Sequence, residues 1–193
     1  SADNKYIYRV KFEPGWAGSM TKVEIDPLTG NEVLEKWRAA DRLAEQLTVL
    51  PAPDDKPWLT KRRILTINDS TNAKVPFLWG NLSAAQKDSL APGKPTRGAQ
   101  TVEYLRGDRS REGARLGQFR VRSGPLGDIV NSQAVIVGPA KALSGTTNTP
   151  FYDPGLNPGY QAFFDAQKTR QKKIFVGAND GMVHAFTDPS ADD

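Results

Sequence analysis

The sequence predicts a mainly β chain with short helices, built as part of a truncated β-propeller, and three observations predict it. The 193 residues include 17 Gly and 14 Pro with 38% hydrophobic residues, a turn-rich balance that favours sheet over a helical bundle. Two short apolar runs, Ile174–Val176 and Met182–Phe186, flank Asn179-Asp180-Gly181. Asp-Gly between alternating apolar residues signals a hairpin, because both residues tolerate the positive φ of a tight primed turn. Gly177 and Ala178 are small and admit a neighbouring backbone, as adjacent strands of a blade require. A propeller needs several blades, so residues 1–193 read as a single fragment of a longer protein. Its expected parts are N-terminal strands and a helical insert over 1–97, then a helix, an Arg-rich loop and a first recognisable blade over 98–193.

Tyr6–Phe12 alternates as a half-buried strand does, and Gly15 and Gly18 bracket Trp16 in a turn. Met20–Ile25 alternates again. Asp26-Pro-Leu-Thr-Gly30 is a turn, with Asp at its start, Pro fixing φ at the next position and Gly where positive φ is wanted. Val33–Trp37 is the returning strand. Trp37–Leu47 holds good helix formers, with Ala40, Leu43, Ala44 and Leu47 at helical spacing. Pro51, Pro53 and Pro57 end it in an exposed loop. Lys61–Ile67 reads as a strand and Asn68–Asn72 as a polar turn. Ser83 caps a short helix over Ala84–Leu90, and Pro92-Gly-Lys-Pro95 breaks it.

Gly98–Arg106 is expected to be helical, with Val102 and Leu105 inward and Gly107 as the stop. Arg109–Gly117 is polar and reads as an exposed, mobile loop. Gly127–Gly138 is the next β segment, and its nearly continuous apolar residues match strands covered on both faces. Ala140–Gly159 is a long loop rich in Gly, Pro, Ser, Thr and Asn, a length that implies a partner surface in a compact domain. Tyr160, Phe163, Phe164 and Gln167 fall at helical spacing. Ala134-Val-Ile-Val-Gly138 and Ile174-Phe-Val-Gly-Ala178 echo one another about forty residues apart, a spacing that fits a propeller blade.

Charge is localised. The net charge of +4 arises between Arg97 and Arg122, where seven Arg face three acids, Glu103, Asp108 and Glu112. Elsewhere 19 basic residues balance 19 acidic ones. Bidentate arginines bind phosphate, but only Tyr104 and Phe119 lie among them, so the segment reads as a solvated face or an acidic-partner surface and no nucleic-acid partner is expected. No apolar run is long enough to span a membrane, so no membrane insertion is expected. With no cysteine, disulfides, thiol catalysis and cysteine metal sites are excluded.

Catalytic signals are weak. His184 is the only histidine and sits inside the hairpin, where a structural role is the expected one. Acidic residues show no glycosidase-like spacing, Gly177–Gly181 does not fit a phosphate-binding loop, and Asp153–Asn157 and Asp188–Asp193 are too sparse for a calcium loop. No catalytic and no metal residues are assigned. Arg106-Gly107-Asp108 is the adhesion candidate: in an exposed loop, Arg and Asp around a Gly bridge an integrin's acidic pocket and its metal ion. Against it stands helix punctuation, with Gly107 stopping the helix and Asp108 pairing with Arg109 or Arg111.

Ile174-Phe-Val-Gly-Ala-Asn-Asp-Gly-Met-Val-His-Ala-Phe186 resembles the first signature of the propeller domain in the PilY/PilC family of type IV pilus biogenesis and tip proteins. Tyr104-Leu-Arg-Gly-Asp-Arg-Ser110, Leu126-Gly-Asp-Ile-Val-Asn-Ser132, and Val75-Pro-Phe-Leu-Trp79 followed by Asn81-Leu-Ser-Ala-Ala-Gln86 resemble the family in the same order. Together they span most of the chain from Val75 onward; Phe12-Glu-Pro-Gly-Trp16 and Tyr6–Ile25 match more loosely. The resemblance implies the N-terminal part of a propeller with quinoprotein-like blades. It implies a non-enzymatic role in pilus assembly, retraction control and surface adhesion. The implied partners are minor pilins or other pilus-assembly proteins and a host-surface receptor. The implied location is the bacterial cell surface, pilus tip or outer membrane and periplasm. It implies no cofactor within these residues, with calcium bound elsewhere in a full-length parent. Two alternatives share the propeller: a fragment of a quinoprotein-type dehydrogenase, and a scaffold in outer-membrane protein assembly.

Overall fold

A computed structural model describes residues 5–48, 55–140 and 156–188. The chain divides into two compact units, Ser1–Asp128 and Ile129–Asp193. The line drawn from the sequence between residues 97 and 98 runs inside a helix of the first unit.

The first unit begins with an antiparallel sheet of β1 (Tyr6–Glu13), β2 (Ala17–Ile25) and β3 (Glu32–Arg38), with β2 in the centre. Every residue of β2 from Ala17 to Val23 is buried, and Met20 and Val23 anchor this part of the core. The turn to β3 forms as its residues dictate. The Asp26 carboxylate accepts from the Leu28 and Thr29 N–H groups at 2.8 and 3.2 Å, and Gly30 takes φ 73. Those two backbone bonds hold the exposed Asp26 carboxyl below the usual carboxylate range.

Helix α1 (Ala39–Leu47) starts two residues later than its spacing suggests, because Trp37 and Arg38 stay in the ladder opposite Lys22 and Thr21. Its inward residues are Ala39 and Leu43, while Ala44 is exposed. Pro57 does the reverse of breaking structure: it opens α2 (Pro57–Thr60), where its fixed φ suits a first helical position and its missing N–H costs nothing. Pro51 and Pro53 lie outside the described residues. Strands β4 (Leu65–Asn68) and β5 (Ala73–Pro76) form a separate hairpin around the Asn68–Asn72 turn. A 3-10 turn at Trp79–Asn81 leads to α3 (Ala84–Leu90). There Ser83 and Gln86 form a reciprocal capping box, each bond 3.1 Å long. Helix α4 (Pro95–Arg106) ends at Gly107, with Val102 inward.

The second unit holds β6 (Val135–Val137), α5 (Pro158–Gln167), β7 (Lys173–Ala178) and β8 (Met182–Thr187). Its three strands form one antiparallel sheet in the order β6-β7-β8. This arrangement corrects three expectations. The two echoing segments are not equivalent strands of successive blades, because Val135 pairs with Phe175 and Ile136 with Ile174 as neighbours in one sheet. Only Val135–Val137 of the segment 127–138 is strand, and Val135 is 57% exposed rather than covered on both faces. The hairpin turn is not a two-residue primed turn. Ala178 accepts from the Gly181 N–H at 3.1 Å, and Gly181 alone of the three loop residues has positive φ, at 80. A turn of ordinary hand followed by a left-handed Gly restores the strand twist in a three-residue loop. Most of the Ala140–Gly159 loop, residues 141–155, lies outside the described residues.

The eight described strands thus sit in three separate sheets with short helices between them, and the described residues form no closed ring of blades.

Candidate functional site

Arg97 and Tyr104 are seven residues apart and so share a face of α4. After Gly107 the chain folds back. Gly113 donates to the Phe119 carbonyl at 3.0 Å and Phe119 to the Arg111 carbonyl at 2.9 Å, which brings Phe119 onto Tyr104. The two rings stack with centroids 4.5 Å apart and planes 11° apart. The Arg97 guanidinium lies 3.5 Å from the Phe119 centroid, and that of Arg122 lies 3.9 Å from the Tyr104 centroid. Arg97, Phe119, Tyr104 and Arg122 therefore form a four-layer stack, with each cation over a π face. The only two aromatics of the Arg-rich segment are used by its own arginines.

Beneath the stack, the buried Glu112 carboxylate accepts from Arg122 Nε at 2.7 Å, the Arg122 backbone N–H at 3.2 Å and Arg109 Nε at 3.1 Å. Arg122 also donates to the Tyr104 and Asp108 carbonyls at 2.8 and 3.0 Å, and Arg109 donates to the Arg122 carbonyl. Arg109–Gly117 is consequently not a free loop: its charges tie it to α4.

The structure keeps Arg106, Gly107 and Asp108 together at the helix end but turns them inward. Arg106 and Asp108 are each 3% exposed, so neither is presented for an integrin-type contact. The Arg106 guanidinium donates to three carbonyls: Phe77 at 3.1 Å, Leu59 at 3.2 Å and Arg62 at 3.1 Å. Arg62 returns a bond to the Arg106 carbonyl at 2.7 Å. Among the described residues no carboxylate pairs with Arg106, and burial pulls its guanidinium below its ordinary pKa. Gly107 has φ 127, and a Cβ there would sit 2.8 Å from Leu47 Cδ2. The Asp108 carboxylate accepts from the Ser110 N–H and hydroxyl at 2.9 and 3.0 Å and from Arg111 at 2.7 Å. The tripeptide locks α4 to α2, to the chain around Phe77 and to its own following loop.

In the second unit, Asn179, Asp180 and Gly181 form the hairpin loop. Asp180 accepts from the Met182 N–H at 3.1 Å, and its other oxygen lies 2.8 Å from Nε2 of buried His184. His184 faces Val176 across the ladder and stacks near Phe186, centroids 6.0 Å apart. Among the described residues no cluster of three or more His, Asp or Glu could hold a metal ion, and no helix is long and apolar enough to cross a membrane.

The register puts Val135, Phe175, Ala185 and Val183 on one face of the β6–β8 sheet. Val183 is 74% exposed and Val135 57%. On the opposite face, Ile174 and Val176 are buried, with Ile136 at the edge. Sequence reading missed the uncovered face, because a run of β-branched residues has the same pattern whether or not something covers it. It also missed the arginine stack, whose one local trace is the isolated aromatic pair.

A family model described as the PilY1 beta-propeller domain matches residues 126–193. The chain is 33% identical over 190 residues to the type IV pilus biogenesis factor PilY1 of Pseudomonas aeruginosa strain PAK, covering 94% of this chain and 15% of that protein. It is 31% identical over 195 residues to the protein of the same name in strain UCBPP-PA14, again with 94% and 15% covered. A PilY1 homolog of Xylella fastidiosa is 35% identical over 180 residues, covering 93% of this chain and 12% of that protein. The chain thus spans a small part of the length of the curated relatives it matches. No solved structure matches it.

Proposed function

The chain belongs to the PilY1-like family, and from that premise we propose that it serves type IV pilus biogenesis through protein–protein contacts rather than catalysis. The observation that carries this reading is the uncovered aliphatic face of the β6–β8 sheet, which lies inside the segment matched to a propeller domain. Propeller blades cover one another's faces, so the sheet is read as part of a quinoprotein-like blade whose neighbours supply the missing cover. On that scaffold the protein supports pilus assembly, retraction control and surface adhesion. Its partners are minor pilins or other pilus-assembly proteins, with a host-surface receptor reached by the assembled tip. It acts at the bacterial surface, at the pilus tip or at the outer membrane and periplasm. These residues take no cofactor, and calcium belongs to other parts of a longer parent.

The test is a pull-down of minor pilins by this chain and by a version extended through further blades. The extended form is expected to retain them, and retention by the short form as well would put the contact within these residues. Failure of both would overturn the reading, as would saturable binding of a quinone cofactor, the mark of the dehydrogenase alternative.

A further inference from the structure

Helix α4 carries Thr96, Ala99, Gln100 and Glu103 along one side. With Trp79 from the 3-10 turn and Arg111 from the following loop, that side lines an open surface depression of about 460 Å³ on the first unit. The volume lies in the range of small-molecule sites. Trp79 is held in place by the helix backbone. A Cβ on Gly98 would come within 2.3 Å of Trp79 Cη2, so only glycine lets the ring lie this close to α4. The ring position is therefore set before any ligand arrives.

The polar groups around the ring have bonding capacity left over. Among the described residues, the Thr96 hydroxyl, the Gln100 amide and the Trp79 indole N–H make no hydrogen bond. Arg111 Nη1 donates to Glu103 Oε2 at 3.0 Å and to Asp108, which leaves Glu103 Oε1 and the rest of the guanidinium open. The lining thus offers an acceptor-only carboxylate, a donor-only guanidinium and indole, and an amide and a hydroxyl that do both. Charge is balanced: Arg111 faces Glu103 and buried Asp108, and Lys87 lies 5.7 Å from the Trp79 ring. No single sign dominates, so neither an anion nor a cation is favoured. What matches a rigid aromatic wall with mixed donors and acceptors and no net charge is a neutral, hydroxyl-rich ring, with apolar C–H groups toward the indole and hydroxyls toward the polar rim.

We propose that this depression binds a neutral saccharide unit. The site stands on the geometry of the first unit alone and does not depend on the pilus reading. The test uses the whole chain, isotope-labelled, and follows the Trp79 indole N–H and the α4 amides by NMR. Glucose, galactose, mannose and N-acetylglucosamine are titrated separately, with glycerol and N-acetylneuraminic acid as controls. At least one neutral sugar is expected to give saturable shifts at Trp79 and Gln100, with Kd of about 1 mM. Gln100→Ala is expected to weaken it about tenfold through the lost hydrogen bonds, with the rest of the spectrum unchanged. Shifts no larger than those from glycerol, absence of saturation up to about 50 mM, or a response to N-acetylneuraminic acid alone would each overturn the proposal.

Discussion

Between Arg97 and Arg122 the chain turns its charges on itself, whereas the β6–β8 sheet leaves aliphatic side chains in water. The first region has seven arginines, yet Arg97 and Arg122 sandwich the Phe119–Tyr104 pair, Arg122 also joins Arg109 on Glu112, Arg111 pairs with Glu103 and Asp108, and Arg106 is buried among carbonyls. The second is rich in apolar side chains, yet Val135 and Val183 are 57% and 74% exposed. Polarity therefore does not locate the surface through which this protein meets others. A charged segment whose arginines are largely engaged within the fold is a finished piece of structure. An apolar sheet face without cover is an unfinished one, and contacts are expected there.

Removing Glu112 is the severest way to break this comparison. Glu112→Ala leaves the Arg122 guanidinium, almost wholly buried, without its carboxylate, and removes the Arg109 tie as well. The expected loss is about 3 kcal/mol, read as a fall in the urea midpoint at unchanged slope. A loss near zero would mean that the arginines are solvated after all and that the first region is the open one. Asp108→Ala is milder. It removes the acceptor of the Ser110 N–H and the pairing with half-exposed Arg111, and is expected to cost about 2 kcal/mol. If Asp108→Ala leaves stability intact and reduces cell attachment by the full-length protein, the adhesion role of the tripeptide returns.

The parts legible in the sequence are those whose cause is local. The Asp26–Gly30 turn, the Ser83 cap, the Gly107 stop and the β7–β8 hairpin each rest on residues within a few positions of one another. The hairpin was legible as a hairpin but not in its turn type, since Asp-Gly suits both a primed turn and a left-handed Gly after an ordinary one. What was not legible is long in range. Nothing near Arg106 announces that its guanidinium reaches the Leu59 carbonyl, or that Phe119 returns to Tyr104. The 134–138 and 174–178 segments look alike because both are strands, and their likeness could not distinguish a repeated blade from antiparallel neighbours.

Asp180→Ala tests the second region from within, with an expected loss of about 1 kcal/mol. The carboxylate holds the Met182 N–H and faces the His184 ring, so the variant is expected to fold with a loosened turn. Faster hydrogen exchange at Met182 and His184, with the 97–122 segment unchanged, would show that the two regions hold themselves together separately.

Val183→Lys is expected to have the smallest effect on stability and sharpens the comparison most. The side chain is 74% exposed, so the substitution removes almost no buried surface and should shift stability by no more than about 0.5 kcal/mol. If the β6–β8 face is where further β structure or a partner packs, a charge on its β8 strand must then be buried unpaired in the complex, which is costly. Capture of minor pilins by the extended protein should fall while the isolated chain unfolds at an unchanged midpoint. Capture that survives Val183→Lys would move the contact away from this face, and the uncovered valines would then be ordinary surface apolar residues.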